Sequence, residues 1–403
     1  MKEMIFFSCL MIAAGFLIRF KLKVYLTIIL MGISTAIFYR LSIFDLFPVY
    51  KNTLFSKDLI QLIINIYFIF LFGRLLNVSG ELDKIGNALL TLFSPRVAIT
   101  ILPMIIGFFP MPGGALFTVK FVEKIGRKSK FSDEVLSFTN FWFRHVWEFV
   151  YPVYPGFILY CSLLNIEPGT LTLRQFPLTL AMIMIGFIVL FYISRKQKTI
   201  SKIKWDLFNI FTFLKKMWFV FLIFFVIFID IPGTDIRLPV YIGLILSSII
   251  LITKNKTSLK EILTSTKKAL NWNIFFTIVA VFLFQSTIEL TPLSESVKNL
   301  VSGDNKQLLP IFTVGFPFVI GYLTGITTSF VGICFPVLIS FLKADPNLAV
   351  IVYTSGFMGV LITPVHLCLS MTCEYLNADL SKVIKYLVPC ILFVEILALV
   401  LYL

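Results

Sequence analysis

Apolar runs of about 20 residues follow one another along this 403-residue chain, separated by short stretches that collect the charge. A run of that length, coiled at about 1.5 Å per residue, covers the hydrocarbon core of a bilayer. Backbone N–H and C=O groups find no water there, so each run must close its own hydrogen bonds as a helix. The sequence predicts an all-α, polytopic membrane protein. Composition agrees: 58% of residues are hydrophobic, 14% are charged and mean hydropathy is +0.95. A soluble chain carries about 25% charge. The length accommodates about ten transmembrane helices.

The charge pattern orients them. The formal net charge is +14, but the positive residues sit in short loops between apolar runs, as in the cytoplasmic loops of membrane proteins. That distribution argues against nucleic acid as a partner and for the lipid bilayer. Loops at 19–23, 120–130, 195–204 and 254–268 carry the lysine and arginine excess and are expected to face the cytoplasm. The spans run Met4–Ile18, Leu22–Tyr39, Leu59–Leu76, Phe131–Leu164, Phe176–Ser194, Trp218–Ile229, Leu238–Thr253, Trp272–Leu290, Asn347–Tyr375 and Val383–Leu403. This threading leaves both termini outside a cell (inner) membrane. Arg40–Lys57 and Thr291–Gln307 read as outer loops, and Trp205–Lys216 as an amphipathic connector. The chain divides into a first half, 1–194, a basic linker, 195–216, and a second half, 217–403.

Two apolar segments are interrupted where a spanning helix should be continuous. In 96–122 the run IGFFPMPGGALF places Pro110, Pro112, Gly113 and Gly114 in the middle. Proline removes a helix hydrogen bond and glycine weakens the helix, so this cluster makes a turn and leaves two arms too short to cross. A re-entrant hairpin is expected; the alternative is a single kinked span. The segment 308–342 is interrupted by Gly321, Thr324, Gly325, Thr327, Thr328 and Ser329. The amides at Pro110–Gly114 can approach an anion closely, or form only a turn. The hydroxyls and carbonyls of Thr324–Ser329 suit Na⁺ or a carboxylate, or pack two close helices.

Ionisable groups at membrane depth mark function. The stretch NFWFRHVWE sets Asn140, Arg144, His145 and Glu148 among aromatic residues. Asn140 and Arg144 fall on one helix face at i, i+4, and a guanidinium can grip a carboxylate with two bonds. Arg144 and Glu148 stand at the same spacing and could instead pair with each other. His145 and His366 are the only histidines. Each can relay a proton or simply be a buried, hydrogen-bonded side chain. The six cysteines form no CxxC pair and read as small packing residues. No HExxH and no second cluster of metal ligands is visible, so no metal is expected beyond Na⁺ at the hairpin tips.

The two interrupted segments belong to a repeat. IGFFPMPGG (106–114) aligns with IGYLTGITT (320–328), Phe138-Thr139-Asn140 with Tyr353-Thr354-Ser355, and Pro152-Val153-Tyr154 with Pro364-Val365-His366. Thr354, Ser355 and Gly356 join the candidate site on this ground. By the loop charges the first hairpin enters from inside and the second from outside, the inverted-topology pattern of secondary transporters.

PMPGGALF, NFWFRHVWE, YPVYPG, VGICFP and GVLITPVHLCL resemble a prokaryotic integral-membrane family grouped with the ion transporter superfamily, which includes citrate, gluconate, dicarboxylate and lactate carriers. The resemblance covers nearly the whole chain. It implies an elevator-type carrier, often a homodimer, with two hairpins and two interrupted helices around one small anionic solute, and coupling to Na⁺ or H⁺. Dicarboxylate carriers place Ser-Asn-Thr at both tips; here Pro-Met-Pro-Gly-Gly and Thr-Gly-Ile-Thr-Thr-Ser stand instead, so dicarboxylate specificity does not transfer. A secondary carrier of a small organic anion is the leading expectation. A membrane-embedded enzyme or an ion channel using Arg144, His145 and Glu148 is the alternative. No GxxxxGK[ST] motif supports ATP-driven transport in this chain.

Overall fold

A computed structural model describes residues 2–20, 22–81, 83–84, 95–109, 114–195, 218–227, 240–302 and 306–403. Every regular element among them is helical. The first group is α1 (Lys2–Arg19), α2 (Val24–Phe38), α3 (Ile43–Leu54), α4 (Lys57–Val78), α5 (Pro95–Gly107), α6 (Gly114–Lys128), α7 (Asp133–Arg144), α8 (Pro155–Leu164) and α9 (Pro168–Ile193). The second is α10 (Trp218–Ile227), α11 (Val240–Asn255), α12 (Leu259–Ala269), α13 (Trp272–Glu289), α14 (Leu293–Ser302), α15 (Phe316–Thr324), α16 (Thr327–Ala344), α17 (Pro346–Ile362), α18 (Leu367–Leu376) and α19 (Leu380–Tyr402). A π-helical turn, Ile311–Gly315, leads into α15. Pro110, Pro112, Gly113, the connector 205–216 and the turn 230–237 lie outside the described residues.

Six stretches among the described residues are long and apolar enough to cross a membrane: Lys57–Val78, Pro168–Ile193, Leu259–Glu289, Thr327–Ala344, Pro346–Leu376 and Leu380–Tyr402. The chain is a multi-pass membrane protein. Shorter apolar helices, such as Val24–Phe38 and Val240–Asn255, accompany them. Three segments read from sequence as loops are amphipathic helices instead, α3, α12 and α14. Ser42 with Asp45 and Ser258 with Glu261 form capping boxes that start α3 and α12, satisfying amides that would otherwise be orphaned.

The segment 95–128 is two helices packed side by side, α5 on α6, and both lie on α7. It is a hairpin, not one kinked helix. The π turn and α15 pack against each other, and α15 packs on α16 and α17. The span expected over Phe131–Leu164 is broken between α7 and α8, and that over Asn347–Tyr375 between α17 and α18. Proline ends the helix before the second break and starts the helix after the first. Pro364 forces Thr363 into extended backbone (ψ 136°) and ends α17. Pro155 does the same to Tyr154 (ψ 122°), then serves as the first residue of α8. Short helices α8 and α18 both end on a left-handed asparagine, Asn165 and Asn377. Across the molecule α8 packs on α16 and α18 on α6, bringing both breaks and both hairpins to one place.

Candidate functional site

Arg144 closes α7, and its side chain is buried at 5% exposure. Nη2 donates to the Phe109 carbonyl at 3.4 Å, a long bond, while Nη1 is buried with no hydrogen-bond partner among the described residues. Gly114, the first residue of α6, lies against the guanidinium so closely that a Cβ there would overlap Nη2. Asn140, one turn earlier, donates from Nδ2 to the Ala115 carbonyl at 3.2 Å and to Thr372 Oγ1 at 3.0 Å, and its Oδ1 has no partner among the described residues. Arg144 and Asn140 thus both face the start of α6, as the i, i+4 spacing predicted. A buried guanidinium has five donors to satisfy, and here a carbonyl takes one of them. The amides at the start of α6 add positive potential at the same point.

The backbone around this group is held by close approaches. A Cβ at Gly107 would overlap the Arg144 carbonyl oxygen, and Tyr154 donates its hydroxyl to the Gly107 carbonyl. In the second hairpin Gly321, the residue aligned with Gly107, makes the same kind of approach to the Gly356 carbonyl.

His145 turns the other way. Its Nδ1 lies 2.6 Å from the Phe141 carbonyl, and its Nε2 lies 3.2 Å from Nε2 of His366. His366 Nδ1 is 2.8 Å from the Gly325 carbonyl. Gly325 takes a left-handed conformation, φ +62°, at the turn between α15 and α16, and so presents that carbonyl to the histidine. Cys368 joins the pair: its sulfur and the two imidazoles lie within 4.8 Å of one another. Glu148 accepts from Thr327 Oγ1 at 3.1 Å and approaches His145 Nε2 at 3.9 Å. Tyr353 donates to the Glu148 carbonyl at 3.0 Å, tying the first break to α17.

The expected residues thus divide. Gly114, Asn140 and Arg144 form one group; His145, Glu148, Gly325, Thr327 and His366 form a second beside it. The Arg144–Glu148 pair is absent, because α7 stops at Arg144 and the i, i+4 face does not continue to Glu148. Thr324 bonds the Gly321 carbonyl at 3.3 Å and so secures the turn. Thr354 is spent on the Val350 carbonyl of its own helix. Thr328 and Ser329 are buried in the first turn of α16, and Gly356 packs against Phe330. Ser355 donates to the carboxylate of Glu395 on α19. Sequence reading missed Cys368, Glu395, Thr372 and Tyr154. An acid inside the final apolar run was the available signal for Glu395; Cys368 stands two residues from His366 but reads as packing in an apolar run.

A family model described as a protein of unknown function (DUF401) matches residues 4–403. No curated protein matches the chain.

Proposed function

We propose that this chain, which belongs to the DUF401 family, is a secondary carrier of a small organic anion, with Arg144 as the group that holds the anionic substrate. One observation carries this reading: a buried guanidinium whose Nη1 has no partner among the described residues faces the first residues of α6. An unsatisfied buried cation is costly. An arriving carboxylate supplies the missing acceptor and the missing charge, so the substrate completes the site. The dry surroundings strengthen that bond over its value in water.

The element order supports an inverted repeat. Hairpin, broken helix and long helix occur as α5–α6, α7–α8, α9 and again as α15–α16, α17–α18, α19. Packing partners exchange between halves: α2 on α13 answers α4 on α11, and α3 on α13 answers α12 on α4. On this reading the halves 1–194 and 217–403 have opposite membrane orientation, with about ten spans and two re-entrant hairpins. The protein lies in the cell membrane with both termini outside. It works by an elevator movement, as a homodimer, coupled to Na⁺ or H⁺. The buried Glu148 and the half-buried Glu395 are carboxylates that suit the coupling ion.

A melting screen of small organic acids, with and without Na⁺, tests the reading. A ligand at 100 times its Kd adds about 2.7 kcal/mol of apparent stability. One chemical class of acid is expected to raise the melting temperature of the wild type and not of Arg144→Gln. Equal shifts in both proteins would remove Arg144 from the site.

A further inference from the structure

We propose that His145, His366 and Cys368 form a binding site for a zinc-class transition-metal cation, with Glu148 as the fourth donor. It does not use Arg144, so it stands or falls apart from anion binding there, and it shares only Glu148 with the carrier reading.

The hydrogen bonds of the two histidines lead to it. Nδ1 of His145 faces the Phe141 carbonyl and Nδ1 of His366 faces the Gly325 carbonyl. A carbonyl only accepts, so each Nδ1 carries a hydrogen. Both neutral rings then present an Nε2 lone pair, and these two lone pairs point at each other across 3.2 Å. Two acceptors at that distance need a cation between them. Backbone carbonyls that fix the tautomer through the remote nitrogen are the usual outer shell of a metal-bound histidine.

The distances fit. Two nitrogens at 2.0–2.1 Å from a tetrahedral ion lie about 3.3 Å apart. The Cys368 sulfur within 4.8 Å of both rings needs only a modest inward shift to bind at about 2.3 Å. A thiolate with two imidazoles favours a borderline-soft ion over Mg²⁺, Ca²⁺ or Na⁺. Glu148, 3.9 Å from His145 Nε2 and steadied by Thr327, can close the coordination. A shared proton would reconcile the two imidazoles and leave the sulfur a hydrogen-bond partner of them; a metal ion instead takes all three as ligands. The ligands come from both helix breaks, so the ion would clamp one half of the molecule to the other. Two of the ligands, His366 and Cys368, are only partly buried, so the site is not sealed.

The test uses the full chain in detergent, free of polyhistidine tags, stripped with chelator and reloaded with Zn²⁺ or Co²⁺. We expect about one tightly held Zn²⁺ per chain and, with Co²⁺, a thiolate-to-metal charge-transfer band. Cys368→Ser keeps the size of the side chain; it should abolish that band and weaken Zn²⁺ binding by more than the roughly 10–100-fold that losing an outer-shell partner costs. His366→Gln should also lose the ion, and Cys373→Ser should keep both ion and band. Variants are compared by melting without metal, and only those melting as the wild type does are scored. Substoichiometric zinc in the wild type, absence of the band, or an unchanged Cys368→Ser overturns the proposal.

Discussion

Arg144 decides the anion reading at the scale of a single residue. Its charge persists at any physiological pH, and no carboxylate stands against it among the described residues. Arg144→Gln therefore leaves no buried acid stranded, because Glu148 bonds Thr327 and approaches His145 instead. The variant should fold and melt near the wild type. It should lose a charge-assisted bond of about 1.5–3 kcal/mol, which weakens anion binding roughly 10–100-fold, measured by calorimetry. Gly114→Ala makes the complementary test, since its Cβ would press on the guanidinium; reduced anion affinity is expected with little change in fold. Much of this group was legible in sequence. Arginine, histidine and glutamate stand out in an apolar run because burying them is expensive. The Arg144–Glu148 pair was not rightly legible: spacing implies a shared face only while the helix continues. Cys368 was hidden for a different reason, because its partnership with His145 arises from a contact between distant parts of the chain.

Among the elements, the hairpins were legible from proline and glycine, which punctuate a helix wherever they cluster, while Asn347–Tyr375 read as one span and its break at Pro364 was missed. Helices α3, α12 and α14 were not. Their charges read as loop, yet the capping boxes of α3 and α12 are local and start those helices. Phe44 and Phe47 of α3 remain 86% and 67% exposed, so no internal packing signalled the helix. The glycines of the hairpins carry a sharper expectation. Gly321→Ala would drive a Cβ into the Gly356 carbonyl, where the obstacle is backbone and cannot rotate away. Overpacking of this kind costs about 1–3 kcal/mol, and a lowered melting temperature should show it. Gly315→Ala, whose Cβ would meet nothing nearer than 4.0 Å, should be tolerated far better.

For the whole molecule, sequence gave the helical class and the multi-pass character directly, since hydropathy reflects the solvent the chain must live in. It also suggested the internal repeat through short, ordered matches. The orientation rests on loop charge. A single cysteine placed at Lys128, in a background without other reactive cysteines, should be labelled from the cytoplasmic side only. Labelling from outside intact cells would reverse the proposed topology. The central claim is gradient-driven movement of a small anion through the site at Arg144, and its most direct test is uptake by reconstituted vesicles. Wild-type protein, given the organic acid selected by the melting screen and an inward Na⁺ or H⁺ gradient, should accumulate it above protein-free vesicles. Arg144→Gln, reconstituted to the same level, should not. Equal uptake by the folded variant, or none by the wild type under either gradient, would contradict the account.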